Sequence, residues 1–247
     1  MKLTERFNPF RADADPLSAY LADFRIEADY FTHWPQQDFK TLKNLVSTRI
    51  KLVLQTQGRA DLTAQNEHFL LAPGSVMFIP PYSVYSASTF DHVDSYEIFF
   101  NLHPYAREHG FLQQFGFTRI LHFPQILTPA DTAALMSCYE DVRACRPGCY
   151  AQLRALLHLL LIRLIRLQNT PALPAENSSR EQYVISRLFE YLEAHLNQPV
   201  HVDQLCAALH VSQSHLYRCS RHVMNCSTQQ LVIRYKLRHA QMLLKNP

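Results

Sequence analysis

Residues 202–240 read VDQLCAALHVSQSHLYRCSRHVMNCSTQQLVIRYKLRHA, and the spacing of their apolar side chains decides the fold at this end of the chain. Val202, Leu205 and Leu209 recur at three- and four-residue intervals, which predicts a short helix with one buried face. After a tight connection comes Ser212, a strong N-cap because its hydroxyl accepts a backbone N–H that a helix leaves unpaired at its start. From that cap a second helix is predicted to run to about Met224. It buries Leu216, Cys219 and Val223 and turns Gln213, Ser214, Tyr217, Arg218 and Arg221 outward. Two helices joined in this way form a helix-turn-helix, whose second helix enters the DNA major groove.

This run resembles the first of the two helix-turn-helix units of the AraC family of bacterial transcription regulators. The family pattern has a hydrophobic residue opening the first helix, a small residue at the helix contact, Ser at the cap and Leu-x-Arg after it. Arg-Leu-x-x-Ala-x-x-Leu-Leu closes the run. Here the matching residues are Val202, Cys206, Ser212, Leu216-Tyr217-Arg218 and 236–244, KLRHAQMLL. Ser220 stands where the family has a buried Phe, Asn225 where it has Gly, Leu231 where it has Tyr and Lys236 where it has Arg. Asn tolerates the left-handed conformation, so the turn is expected to survive. Ser220 is expected to remove an aromatic anchor and weaken a small core. The family continues into a second helix-turn-helix, and this sequence stops at Asn246-Pro247, where that unit would begin. A shortened chain and a half-sized DNA reader both fit.

Composition narrows the classes. A 247-residue chain that is 47% hydrophobic can bury one large or two modest cores. Net charge is only +3, yet it is unevenly placed: residues 1–180 carry 17 basic and 17 acidic side chains, whereas 211–247 carry six basic and no acidic ones. The positive field therefore sits on the helices expected to meet DNA. Six cysteines follow no zinc spacing and no secretory signal precedes them, which points to reduced thiols in a cytoplasmic protein. The longest apolar run, 156–162, is interrupted by His158 and too short to span a bilayer, so no membrane partner is expected.

The first 20 residues, with Phe7, Phe10, Leu17 and Tyr20, read as an arm lying on the next domain. From Ile26 to Phe123 the sequence is β-like, with strands predicted at 28–33, 49–55, 58–63, 68–71, 76–79, 84–88 and 96–102. The stretch 57–81, QGRADLTAQNEHFLLAPGSVMFIPP, sets alternating runs around a Gln65-Asn66 turn and a Pro73-Gly74 turn, then a buried strand stopped by two prolines. It resembles the cupin-like ligand-binding barrel that precedes the DNA reader in many AraC-type regulators. Catalytic cupins gather a metal through His-x-His and a nearby Glu, because several imidazole and carboxylate donors must converge. No His-x-His occurs here and His68, His92 and His103 are scattered, so neither metal nor other cofactor is expected, and no enzymatic reaction. A small organic effector, a sugar or an aromatic acid, is expected instead, against Trp34, Arg49, Tyr82, Tyr85, Tyr96 and Glu97.

Thr128-Pro129-Ala130-Asp131 is a capping box with Pro at the first helical position. The helix predicted over 150–168 is apolar on two faces, Leu153, Leu156, Leu160 and Leu164 on one and Leu159, Ile162 and Ile165 on the other. The second face wants a partner, and the resemblance implies a homodimer. Residues 170–179 are a linker by composition, ending in a second box, Ser178-x-x-Glu181.

The expected architecture is α+β. Residues 1–125 form an arm and cupin-like β-barrel, 126–169 a helical dimerisation segment, 170–180 a linker and 181–247 a small all-α helix-turn-helix domain. The expected function is a DNA-binding regulator sensing a small ligand. Two other readings stay open: a ligand-binding protein that acts through mixed dimers without binding DNA alone, and a metal-dependent cupin enzyme.

Overall fold

The computed structural model describes residues 16–22, 24–36, 40–64, 67–90, 92–103, 105–168, 180–224 and 226–243. Its elements are α1 (Pro16–Ala22), β1 (Arg25–Gln36), β2 (Thr41–Val46), β3 (Ile50–Gln57), β4 (Ala60–Ala64), β5 (Glu67–Leu71), β6 (Val76–Ile79), β7 (Val84–Thr89), β8 (Val93–His103), α2 (Tyr105–Gln114) and β9 (Leu121–Phe123). Then come α3 (Pro129–Arg143), α4 (Cys149–Leu167), α5 (Arg180–Ala194), α6 (Val202–Leu209), α7 (Gln213–Met224) and α8 (Thr228–Leu243).

The first six residues of β3 are all buried, so both its faces must be covered. Leu52 and Leu54 point into a core shared with β6, β8 and helices α2, α3 and α4. Val53, one step out of phase, points into a second core with Leu62 and Leu71 of the other sheet. The β region is thus two antiparallel sheets with helices behind one of them. The five-stranded sheet runs β1-β8-β3-β6-β9 and the four-stranded sheet β2-β7-β4-β5.

This corrects the expected barrel: among the described residues no ladder joins the edges of one sheet to those of the other. Successive strands cross between the sheets, and a barrel needs one continuous staggered ladder around its whole circumference. Gly58 makes one crossing possible. It sits at φ +70°, and a Cβ there would lie 2.0 Å from the carbonyl oxygen of His92. The expected strand at 58–63 therefore starts only at Ala60. Four elements went unforeseen: α1, β2, α2 and β9. Most of β2 is exposed, and such an edge strand carries no apolar alternation to read.

Thr128 caps α3 with the reciprocal bonds expected. Its Oγ1 accepts from Asp131 N–H and the Asp131 carboxylate accepts from Thr128 N–H. The same carboxylate takes two guanidinium donors from Arg163 of α4, at 2.7 and 3.1 Å, which locks α3 to α4. Ile165, expected on the partner-facing side of α4, is 1% exposed and belongs to the core with Leu161 and Leu164. Leu159 is 66% exposed and Ile162 half-buried, so the outward stripe is narrower than expected.

Helices α5 to α8 enclose their own core around Ile185, Leu188, Leu192, Leu205, Leu216 and Leu231. Helix α5 also packs on α2, and the Arg234 guanidinium of α8 lies 5.6 Å over the Tyr82 ring. All six cysteines are free thiols: Cys145 is exposed in the turn between α3 and α4, Cys206 is half-buried and the other four are buried. The Gln65-Asn66 turn, the linker with Ser178, Asn225 and the arm before Pro16 lie outside the described residues.

Candidate functional site: an inter-sheet cavity and an exposed cationic helix

Between the two sheets lies a cavity of about 350 Å³. The volume is within the range of small-molecule sites. Strand parity decides its lining: Lys51, Val53 and Gln55 of β3 and Val93, Ser95, Glu97 and Phe99 of β8 form one wall. Leu42, Leu45, Leu62, Leu71, Tyr85 and Ala87 form the other. Trp34 stands at the exposed end, where Lys40 Nζ sits 5.6 Å from its ring centroid.

Three of the residues expected to line a ligand site do so: Trp34, Tyr85 and Glu97. The other three are engaged elsewhere. Tyr96 adjoins Glu97 on β8 and must point to the opposite face. It is stacked on His33 at 4.5 Å, 5.6 Å from Tyr139 of α3. Arg49 is paired with Asp29, whose carboxylate also accepts from Asn101 Nδ2 at 2.7 Å. Tyr82 holds φ +65° beside the two prolines, its N–H donating to the Ser47 carbonyl and its ring under Arg234.

The residue that sequence reasoning missed is Lys51. Its ammonium lies 2.7 Å from Glu97 Oε1 and donates to Tyr85 Oη at 2.9 Å, a contact that reaches across from the opposite sheet. The rings of Tyr85 and Phe99 flank it at 5.4 and 5.1 Å. Burial opposes its charge, but Glu97 and Tyr85 outweigh burial and hold the ammonium above its ordinary range. A lysine inside the run Ile50-Lys51-Leu52-Val53-Leu54 was the available signal, since an isolated cation in an apolar strand demands a partner.

Among the described residues no group of three or more His, Cys, Asp or Glu side chains is placed to hold a metal ion. No helix among them is long and apolar enough to cross a membrane.

The second candidate surface is α7. Ser212 Oγ accepts the N–H of His215 at 3.2 Å, the cap expected. Gln213, Ser214, Tyr217, Arg218 and Arg221 are all exposed. Arg221 Nε donates to Tyr217 Oη at 3.1 Å with its guanidinium over the Tyr217 ring, so the two move as one unit. Arg218 donates to His215 Nδ1 at 2.9 Å and stands 3.6 Å from Glu181, which also pairs with His222. Glu181 thus faces the cations of α7. Lys236, one of the cations expected on the DNA side, donates to the Gln198 carbonyl.

No family model matches the sequence, and no curated protein matches it. Solved structures do. An apo variant of ToxT from Vibrio cholerae superposes with a TM-score of 0.58 over 90% of this chain and 82% of its own, at 8% identity. ToxT bound to (E)-4-(8-methylnaphthalen-1-yl)but-3-enoic acid superposes at 0.57 over 91% of this chain and 85% of its own, at 12% identity.

The chain has the fold of ToxT.

At these identities the likeness speaks for the fold alone. The AraC-like transcriptional activator CuxR covers 90% of this chain and 88% of its own at 14% identity, with a TM-score of 0.42, too loose to carry an argument.

Proposed function

We propose that this protein is a transcription regulator of the AraC type that binds a small organic effector in the inter-sheet cavity and DNA through α7, and that it catalyses no reaction. The observation that carries the proposal is the pairing, in one ToxT-like chain, of a largely apolar cavity with an exposed cationic helix. Solved ToxT structures hold an unsaturated fatty acid and a naphthalenyl butenoic acid, both apolar bodies with one polar end. A comparable body suits a cavity half of whose lining residues are Leu, Val, Phe or Ala.

Base-edge contacts fall to Gln213, Ser214, Tyr217 and Arg218, with Arg221 close by. For Arg218 to reach a guanine edge it must leave Glu181 and His215. The protein acts in the cytoplasm as a homodimer joined along Leu159 and Ile162, which sets two α7 helices on half-sites one or more helical turns apart.

Selection from a random duplex pool, followed by anisotropy titrations at several salt concentrations, tests the reading. Arg218→Ala should cost roughly 1–3 kcal/mol and relax base preference at one position. Absence of enrichment, with no low-salt binding, would refute the DNA-binding half.

A further inference from the structure

We infer that the cavity selects an uncharged ligand, an apolar body ending in a hydroxyl or similar neutral hydrogen-bonding group, and that Lys51, Glu97 and Tyr85 enforce this by rejecting carboxylates. The inference rests on reading the cavity as the effector site. It departs from the acids that the solved ToxT structures hold.

The polar floor of the cavity is already neutral. Lys51 is nearly buried and sits 2.7 Å from Glu97, and its second donor goes to Tyr85 Oη at 2.9 Å. An ammonium has three donors and a carboxylate about four acceptor sites. One Lys51 N–H and several Glu97 lone pairs are therefore left for a guest. A hydroxyl satisfies both at once, accepting from Lys51 and donating to Glu97, without disturbing the pair. A carboxylate can only accept. To reach Lys51 it must come beside Glu97, and two like charges within a few ångströms in a poorly solvated site repel strongly. Displacing Glu97 instead would leave that carboxylate without its partner, which is costly in a cavity with apolar walls.

The rest of the lining offers no net excess of positive charge. Lys40 stands exposed at the mouth by Trp34, and Asp61 balances it. An acid held by Lys40 would place its head in water, where such a pair contributes little.

The test compares matched ligands that differ only in the head group: naphthaleneethanol, naphthaleneacetamide and naphthaleneacetic acid, together with decanol and decanoic acid. Binding to the full chain at neutral pH is read by calorimetry, with thermal shift as a cross-check. The alcohols and the amide should bind at least about tenfold tighter than the acids. Glu97→Gln should reverse the order, because it frees the Lys51 cation for an anion. If that variant fails to fold, the wild-type comparison alone decides.

Acids that bind wild type as tightly as the alcohols would overturn the inference while leaving the cavity reading intact. Binding by neither series overturns the cavity reading, and this inference with it.

Discussion

Ser220 donates from Oγ to the Leu216 carbonyl at 3.0 Å and meets Thr228 Oγ1 at 2.9 Å, with both side chains buried. The serine expected to remove an aromatic anchor and weaken a small core is thus hydrogen-bonded within that core. A polar clasp ties α7 to the start of α8, and Leu231 is fully buried nearby on α8. Ser220→Ala should lower stability by about 1–3 kcal/mol by leaving the Thr228 hydroxyl buried without its partner. Ser220→Phe, which installs the residue of the AraC pattern, should also destabilise, by about 1–3 kcal/mol, because the space is taken. Urea denaturation of the three proteins checks both, and a Ser220→Phe chain more stable than wild type would show that the clasp is dispensable. Side-chain partners of this kind are not legible in one sequence. Strand parity is: Tyr96 and Glu97 are neighbours on one strand and never belonged to the same pocket. Lys51 was legible too, as a charge within an apolar run.

Helix α3 carries the clearest local code, Thr-Pro-x-Asp, and the structure adds the reach of that cap into α4 through Arg163. The Arg163 guanidinium, with help from Thr128, holds the Asp131 carboxyl at about 2 against an ordinary 3.8. A depressed carboxylate stabilises the fold at pH values above its unfolded pKa, and that contribution is lost as pH falls from about 4 toward 2. Asp131→Asn should cost about 1–2 kcal/mol at neutral pH, discounted because Arg163 is partly solvated, and progressively less in acid. Melting curves of wild type and variant across that range should converge, and parallel curves would assign the stabilisation to hydrogen bonds alone. On α4, Leu159→Glu with Ile162→Glu should give a folded monomer, whereas Ile165→Glu should unfold the chain because it buries an unpaired charge. Sedimentation with circular dichroism separates these outcomes, and a wild type that is monomeric at micromolar concentration would refute the dimer. The spacing of apolar residues in α4 shows two apolar faces but not how much of the second its own subunit covers.

At the scale of the molecule, seven of the nine strands and the helical C-terminal part were legible from periodicity, whereas β2, β9 and the choice between barrel and paired sheets were not. That choice depends on which strands share a ladder, a long-range pairing that local alternation does not encode. The charge asymmetry was legible, and it places six cations from Val211 onward against none of the opposite sign. How those cations are held needed coordinates: Arg218 facing Glu181, Arg234 over Tyr82 and Lys236 on Gln198. The turn between α3 and α4 has a practical consequence for anyone who wants to watch this protein work. With four thiols buried and Cys206 half-covered, Cys145 is the exposed cysteine at which a maleimide dye can attach without mutagenesis. Native protein should take up about one equivalent within minutes and the urea-unfolded chain all six of its thiols, as counted by mass spectrometry. Because the dye would sit at the entrance to α4, its polarisation would report pairing of two subunits in real time.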